Sequence, residues 1–205
     1  MKNKSRLDGK RILITGVAGT VGMALVETLK DSNAKSIAGL DNNEASLFEA
    51  EQSTNVEFSP ILCDIRDRPS LEKSCRNTDI IFHLAALKHV PLCEKNPLEA
   101  IKSNILGVSN LIDAAAANDV EQVINTSTDK AVNPFNVMGA SKLMGEQLIR
   151  AANLASSGTT FSSIRFGNVL RSSGSVIPIF RKQIQAGHPI TLTSREMTRF
   201  IMTLG

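Results

Sequence analysis

The chain of 205 residues contains neither tyrosine nor tryptophan, so chemistry that needs a phenolate base is excluded. Cysteine is scarce: Cys63, Cys75 and Cys93 are widely spaced, which fits neither a paired disulfide framework nor a zinc site. Buried, reduced thiols and no bound metal are expected. Long apolar runs are also missing. Nowhere do eighteen apolar residues follow one another, so no membrane span is expected and a cytoplasmic location is. The formal charge of +3 is spread along the chain, and with neither a dense basic stripe nor interleaved aromatics a nucleic-acid role is not expected. Phosphate-bearing small molecules suit such a balance better. Lys2, Lys4, Arg6, Lys10 and Arg11 cluster at the start, but no apolar stretch follows them, and a ragged solvated terminus is the expected reading.

What is present is a regular alternation of apolar strands and amphipathic helices, with no internal repeat. It predicts an α/β fold, a Rossmann-type doubly wound parallel sheet. Strands are expected at 11–15, 36–41, 56–62, 79–82, 121–126 and 161–166. Helices are expected at 21–29, from Pro97 to about Ala117, at 138–154 and, shorter, at 177–186. With 42% hydrophobic residues the chain can bury a sizeable core, and residues 1–205 read as one domain, with 9–168 as its core and 169–205 as the start of a further lobe.

The first strand runs into Thr15-Gly16-Val17-Ala18-Gly19-Thr20-Val21-Gly22. Glycine spaced three and three at a strand-to-helix turn lets the backbone turn tightly, approach a pyrophosphate and pack helix on strand. The helix N-terminus then faces the phosphates. Asp41 closes the second strand where an acid accepts from the adenosine ribose, which favours NAD over NADP, because a 2'-phosphate there would meet like charge. Capping the next helix is the plainer role for Asp41. Asp64, after the third strand, suits a contact with the adenine edge or an ordinary loop carboxylate. Asn42 and Ile65 adjoin these two positions.

Residues 126–142 carry the chemistry. A dinucleotide enzyme that oxidises a sugar alcohol usually places tyrosine four residues before lysine, and here Met138 stands four before Lys142, on one face of the predicted helix. The remaining ionisable pair, Asp129 and Lys130 beside Thr128, follows the fifth strand.

Together with the glycine turn, the segments 82–91 (FHLAALKHVP), 127–131 (STDKA), 136–142 (NVMGASK), 165–169 (RFGNV), 174–178 (GSVIP) and 196–200 (EMTRF) make the chain resemble the extended short-chain dehydrogenases/reductases. Within them it is similar to the polysaccharide-biosynthesis group of UDP-N-acetylglucosamine 4,6-dehydratases. Many members of that group have methionine in the tyrosine position, whereas a plain sugar 4-epimerase keeps the tyrosine.

The resemblance implies oxidation at sugar carbon 4, loss of water across carbons 5 and 6, and return of hydride to carbon 6. It implies Asp129 as acid, Lys130 as base, Thr128 with ordered water as helper for the carbon 4 hydroxyl, and Lys142 on the nicotinamide ribose with Asn104 steadying it. A basic lysine must be neutral, and Lys142 is the expected neighbour to lower its pKa. Ala85, Ala86, Leu87 and Lys88 would line the nicotinamide pocket, and Lys88, His89, Asn168, Val176 and Arg199 the UDP-sugar. His83 reads equally as a hydrogen-bonded structural residue or a pocket wall. Each assignment has a plainer rival: a solvated turn pair for Asp129 and Lys130, core filling for Met138, a surface lysine for Lys142.

Family members continue beyond the 196–200 motif into a further lobe, so the substrate half is expected to be truncated at Gly205, as a fragment or a natural short form. Apolar surface is expected near 176–205, covered in a homo-oligomer. The function implied is conversion of UDP-N-acetylglucosamine to a UDP-4-keto-6-deoxy-hexosamine for surface glycan synthesis, inversion at carbon 5 being favoured over retention. An NAD-dependent epimerase or reductase of another nucleotide sugar, and a non-catalytic dinucleotide-sensing module, are the alternatives.

Overall fold

Strand β1 (Arg11–Thr15) is buried along four of its five residues, as a central parallel strand covered on both faces must be. The computed structural model describes residues 6–170, 172, 174–192 and 194–204; the expectations for Lys2, Lys4 and Gly205 lie outside the described residues. After β1 come α1 (Thr20–Leu29), β2 (Ser36–Asp41), α2 (Glu44–Ser53), β3 (Ser59–Leu62), α3 (Arg68–Ser74) and β4 (Ile80–His83). Next are α4 (Val90–Lys95), α5 (Pro97–Ile101), a π-helical turn (Lys102–Leu106), α6 (Gly107–Ala117) and β5 (Gln122–Thr128). A 3-10 turn (Asp129–Ala131), α7 (Val137–Ala155), β6 (Thr160–Phe166), β7 (Asn168–Val169), α8 (Val176–Gln185) and β8 (Ile201–Met202) complete the order.

Six strands form one parallel sheet in the order β3-β2-β1-β4-β5-β6, and β7 pairs with β8 in a small second sheet. Alternation along β1 assigns its side chains to two layers. Leu13 packs with Ile81, Val123 and Phe161 against Leu71 of α3, Leu111 of α6 and Ile149 of α7. Ile12 and Ile14 face the other way, onto Val26 and Leu29 of α1 and Leu47 and Ala50 of α2. The winding reverses between β1 and β4, and the crevice beyond the carboxyl ends of these strands is where a doubly wound sheet binds its ligands.

Several boundaries differ from the sequence expectation. The third strand starts at Ser59 rather than residue 56, and the fourth includes His83. The run from Pro97 to Ala117 is helical throughout but is interrupted by the π turn, and α4 was not anticipated. Pro91 and Pro97 each stand in a first helical turn, where the missing N–H costs nothing. Cys63, Cys75 and Cys93 are buried free thiols. Burial pushes the Cys75 thiol up to about 12, and those of Cys63 and Cys93 upward, which keeps them unreactive.

Candidate active site

The turn after β1 packs backbone directly on backbone. Gly16 adopts φ 72°, and a Cβ there would stand 2.7 Å from the Ala85 backbone nitrogen. A Cβ on Gly22 would run into the Val17 carbonyl, so both glycines hold loop and helix at backbone distance. No side chain caps α1 at Gly19, and its N-terminus presents the dipole end that favours a phosphate. The Asp41 carboxylate accepts from the Ala18 N–H at 3.2 Å and the Asn43 N–H at 3.1 Å. The cap of α2 is Asn43, which accepts from Ser46, so Asp41 is not the helix cap. Asp64 is gripped by Arg66 and accepts from the Asn42 amide at 3.3 Å; these hydrogen bonds, Arg66 foremost, hold its carboxyl below the usual carboxylate range. A crevice of about 180 Å³ is lined by Gly16, Asp41, Asn42, Asp64, Ile65, Ala85, Ala86 and Leu87. The uncapped N-terminus of α1 and the Asp41 carboxylate at this crevice fit the pyrophosphate and adenosine parts of a nicotinamide dinucleotide.

Behind the crevice lies a buried polar belt. His83 Nδ1 lies 2.7 Å from the Thr15 hydroxyl, and burial, with the charge of Lys142, pushes its imidazole down to about 3. It is therefore an interior neutral residue and not part of the cleft wall. Asn104, inside the π turn, accepts from the Leu87 N–H at 2.9 Å, and its amide donates to the Leu87 carbonyl and to Ser141, each at 2.9 Å. Its partners are thus the 84–89 loop and α7 rather than Lys142. A π turn pushes one residue outward from the helical ladder, and here that geometry aims an amide at a loop.

β5 outruns its neighbour β4 and pairs with β6 as far as Thr128 with Phe166. At its tip the Thr128 hydroxyl lies 3.0 Å from Asp129 Oδ1, and Lys130 Nζ donates to the same oxygen at 2.9 Å and to Asn168 Oδ1 at 2.8 Å. Desolvation works to raise the Asp129 carboxyl, but hydrogen bonds from Lys130 and Thr128 and the ammonium charge outweigh it and leave it lowered. The resting pair is ionic. On α7, capped by Asn136, Met138 is buried against Cys93 and Ala100. A Cβ at Gly139 would strike the Lys130 carbonyl, so that glycine lets α7 press on the 129–131 turn. Lys142 Nζ donates to the Thr126 carbonyl at 2.5 Å, and burial pushes its ammonium down to about 8.

Thr128, Lys130, Met138 and Lys142 all line a cleft of about 600 Å³, whose walls also include Thr20, Val21, Ala86, Leu87, Lys88, His89, Asn168, Val176 and Arg199. Asp129 is not among the lining residues and meets the cleft only through Thr128 and Lys130. Ala18, Gly19 and Gly22 also lie outside both linings, as does Asn104, whose side-chain amide holds the Leu87 backbone. Partial desolvation lowers the pKa of Lys88. The His89 ring lies directly on Gly174, at φ 69°, where no Cβ fits. The exposed Arg199 guanidinium bonds the neighbouring Thr198 carbonyl.

The polysaccharide biosynthesis protein family matches residues 12–205. The chain belongs to that family. It is 51% identical over 198 residues to an uncharacterized membrane protein of Methanocaldococcus jannaschii, covering 95% of this chain and 60% of that one. It is 41% identical over 202 residues to the inverting UDP-N-acetylglucosamine 4,6-dehydratase of Campylobacter jejuni, covering 96% and 60%. Among solved structures, Pen from Bacillus thuringiensis superposes with a TM-score of 0.94 at 40% identity, covering 98% and 63%. The UDP-glucose 4-epimerase of Thermus thermophilus in complex with NAD superposes with 0.84 at 25% identity, covering 95% and 71%. The chain thus spans about three fifths of the length of the two relatives. Among the described residues no helix is long and apolar enough to cross a membrane.

For a polysaccharide biosynthesis protein of this fold, the residues that sequence reasoning missed are the supports. Arg66, which ties its near neighbour Asp64 to Glu99 33 residues on, and Glu146, which pairs with Arg165 19 residues on, left no local signal because Glu99 and Arg165 are distant in sequence. Gly139 did leave one: a glycine inside a helical segment marks a close approach.

Proposed function

We propose that the chain is the cofactor-binding and catalytic portion of an NAD-dependent UDP-N-acetylglucosamine 4,6-dehydratase of surface glycan synthesis. The observation that carries this reading is the hydrogen-bonded chain Thr128–Asp129–Lys130 opening on the cleft beside Lys142, with methionine where a tyrosine base would stand. NAD is preferred to NADP because the Asp41 carboxylate, fixed by two backbone N–H groups, would face a 2'-phosphate.

When bound, NAD supplies the hydride acceptor for sugar carbon 4 and the hydride returned to carbon 6. Thr128 takes the carbon 4 hydroxyl proton, through ordered water, and passes its own to the Asp129 carboxylate, which its neighbours keep ionised and receptive. Lys130 then no longer faces a charged partner. It releases a proton to water and accepts the acidified carbon 5 proton on its lone pair. The bond from carbon 6 to its hydroxyl breaks as Asp129 returns a proton through Thr128, so water leaves. Lys130, its protons exchanging with solvent, hands one to carbon 5 when carbon 6 is reduced and regains one from water, so the proton balance closes. Inversion at carbon 5, the outcome named for the Campylobacter jejuni relative, requires the 4-keto intermediate to turn its other face to the Lys130 lone pair between the two transfers.

The second reading, epimerisation, is favoured by the likeness to the Thermus thermophilus epimerase, but it needs no acid and base beside carbon 5. Incubation with UDP-N-acetylglucosamine in heavy water separates the readings. Dehydration gives a 4-keto-6-deoxy sugar with deuterium at carbon 5, whereas an epimer without loss of water refutes it. NAD binding without turnover of any nucleotide sugar would leave the sensing module.

A further inference from the structure

Lys130 is held by two acceptors on different elements. Asp129 Oδ1 is 2.9 Å from Nζ in the turn after β5, and Asn168 Oδ1 is 2.8 Å away at the start of β7. Asn168 is itself anchored: its N–H donates to the Phe200 carbonyl at 2.7 Å, β7 pairs with β8, and a Cβ at Gly167 would press on Phe200. The amide therefore sits on a fixed backbone.

A neutral lysine amine has two N–H bonds and one lone pair at tetrahedral angles to its carbon. With one N–H directed at Asp129 and the other at Asn168, the lone pair is left a single direction. An ammonium held by the same acceptors carries its third proton along that direction. The proton that Lys130 must lose and the proton it must gain thus travel one path, without a search over rotamers.

We infer that Asn168 is a positioning residue that, with Asp129, aims the lone pair of Lys130 at the substrate proton. The inference rests on Lys130 as the base of the elimination proposed above. It adds to Asn168 a task separate from any contact with the sugar nucleotide, and it makes the pairing of β7 with β8 part of the catalytic geometry.

Asn168→Ala and Asn168→Asp in the full chain with NAD test it. At saturating sugar nucleotide the alanine variant is expected to lose on the order of 10- to 100-fold more in elimination than in carbon 4 oxidation, so reduced nicotinamide absorbance and the 4-keto hexose accumulate. Aspartate keeps an acceptor but adds a second carboxylate that retains the ammonium, and is expected to slow elimination as well. A change confined to KM, with no accumulation, would overturn the inference and leave Asn168 a substrate contact. Acylation of Lys130 in the absence of sugar, followed by mass spectrometry, is an independent readout. It should rise severalfold in the alanine variant and fall in the aspartate variant. Equal labelling in all three proteins would refute the tether even if turnover changed. Altered labelling in proteins that turn over no nucleotide sugar would keep the tether and sink the dehydratase reading instead.

Discussion

The sheet and the segment after β7 are built from similar residues to different ends. In the sheet, Leu13, Ile14 and Ile81 are wholly buried between helical layers. In α8, isoleucines and a valine recur at helical spacing, yet none of its ten residues is buried, and Phe200 remains 77% exposed. The apolar surface expected near 176–205 is present. The difference teaches that periodicity records which face a segment would bury, while burial itself requires an opposing layer. Stability accordingly resides in the sheet, and the later segment is held by a two-residue strand pair and a few backbone bonds. Lys130 and Asn168 join the two regions.

The largest effect is expected at that seam. Lys130→Ala and Asp129→Asn should each lower dehydration by about 10²- to 10⁴-fold, the range for a lost general acid or base, while NAD affinity stays near the parent value. Both residues are partly exposed and outside the core, so melting temperature should hardly move. Undiminished turnover in either variant would remove that residue from the mechanism, and a lost fold would erase the division between scaffold and site.

Next is the scaffold. Leu71, fully buried among α3, α6 and the sheet, should cost about 2–5 kcal/mol when cut to alanine. Urea titration measures this directly. A loss below about 1 kcal/mol would mean that this layer is not the cohesive one.

The parts of this division visible in the sequence were those with a local cause. Short apolar runs, 12–14 in β1, 37–40 in β2 and 123–124 in β5, could be read directly; Gly16 and Gly22 signal close backbone approach by their spacing. Met138 and Lys142 share a helix face by arithmetic alone. Other features depend on distant partners. The π turn at 102–106 exists where Asn104 meets Leu87 and Ser141, 17 and 37 residues away, and no nearby residue announces it. The chain 127–131 named the ionisable pair but not its orientation, in which Asp129 stands one hydrogen bond behind the cleft wall. The role of Asn168 toward Lys130 arises across 38 residues.

The buried belt offers a smaller, pH-dependent effect. His83 is held near 3 in the fold against 6.5 for an ordinary histidine, so the unfolded chain takes up a proton that the folded chain refuses. Stability is therefore present above about pH 6.5 and is lost as pH falls toward 3, with a slope of up to about 1.4 kcal/mol per pH unit from this group. His83→Asn should flatten that limb between pH 6 and 4 by about the same slope. Lys142 acts at the other end: its charged form is disfavoured in the fold, so its penalty, full below about 8, is relieved as pH rises toward 10.5. Lys142→Met should raise stability most below pH 8, and the gain should shrink above it. A pH-independent difference between either variant and the parent would show that burial does not control these groups.

The smallest effect is expected on α8 and sharpens the contrast most. Ile184 is 60% exposed, and its replacement by alanine removes little surface from the interior, so stability should change by no more than about 0.5 kcal/mol. The reference is Leu71→Ala in the same buffer, because both changes delete aliphatic carbons from a helix and differ chiefly in what surrounds them. Helix propensity slightly favours alanine, which makes even a small gain acceptable. If Ile184→Ala instead cost several kcal/mol in dilute solution, and the cost rose with protein concentration, the apolar face of α8 would be buried between copies of the chain, and the segment would belong to the scaffold.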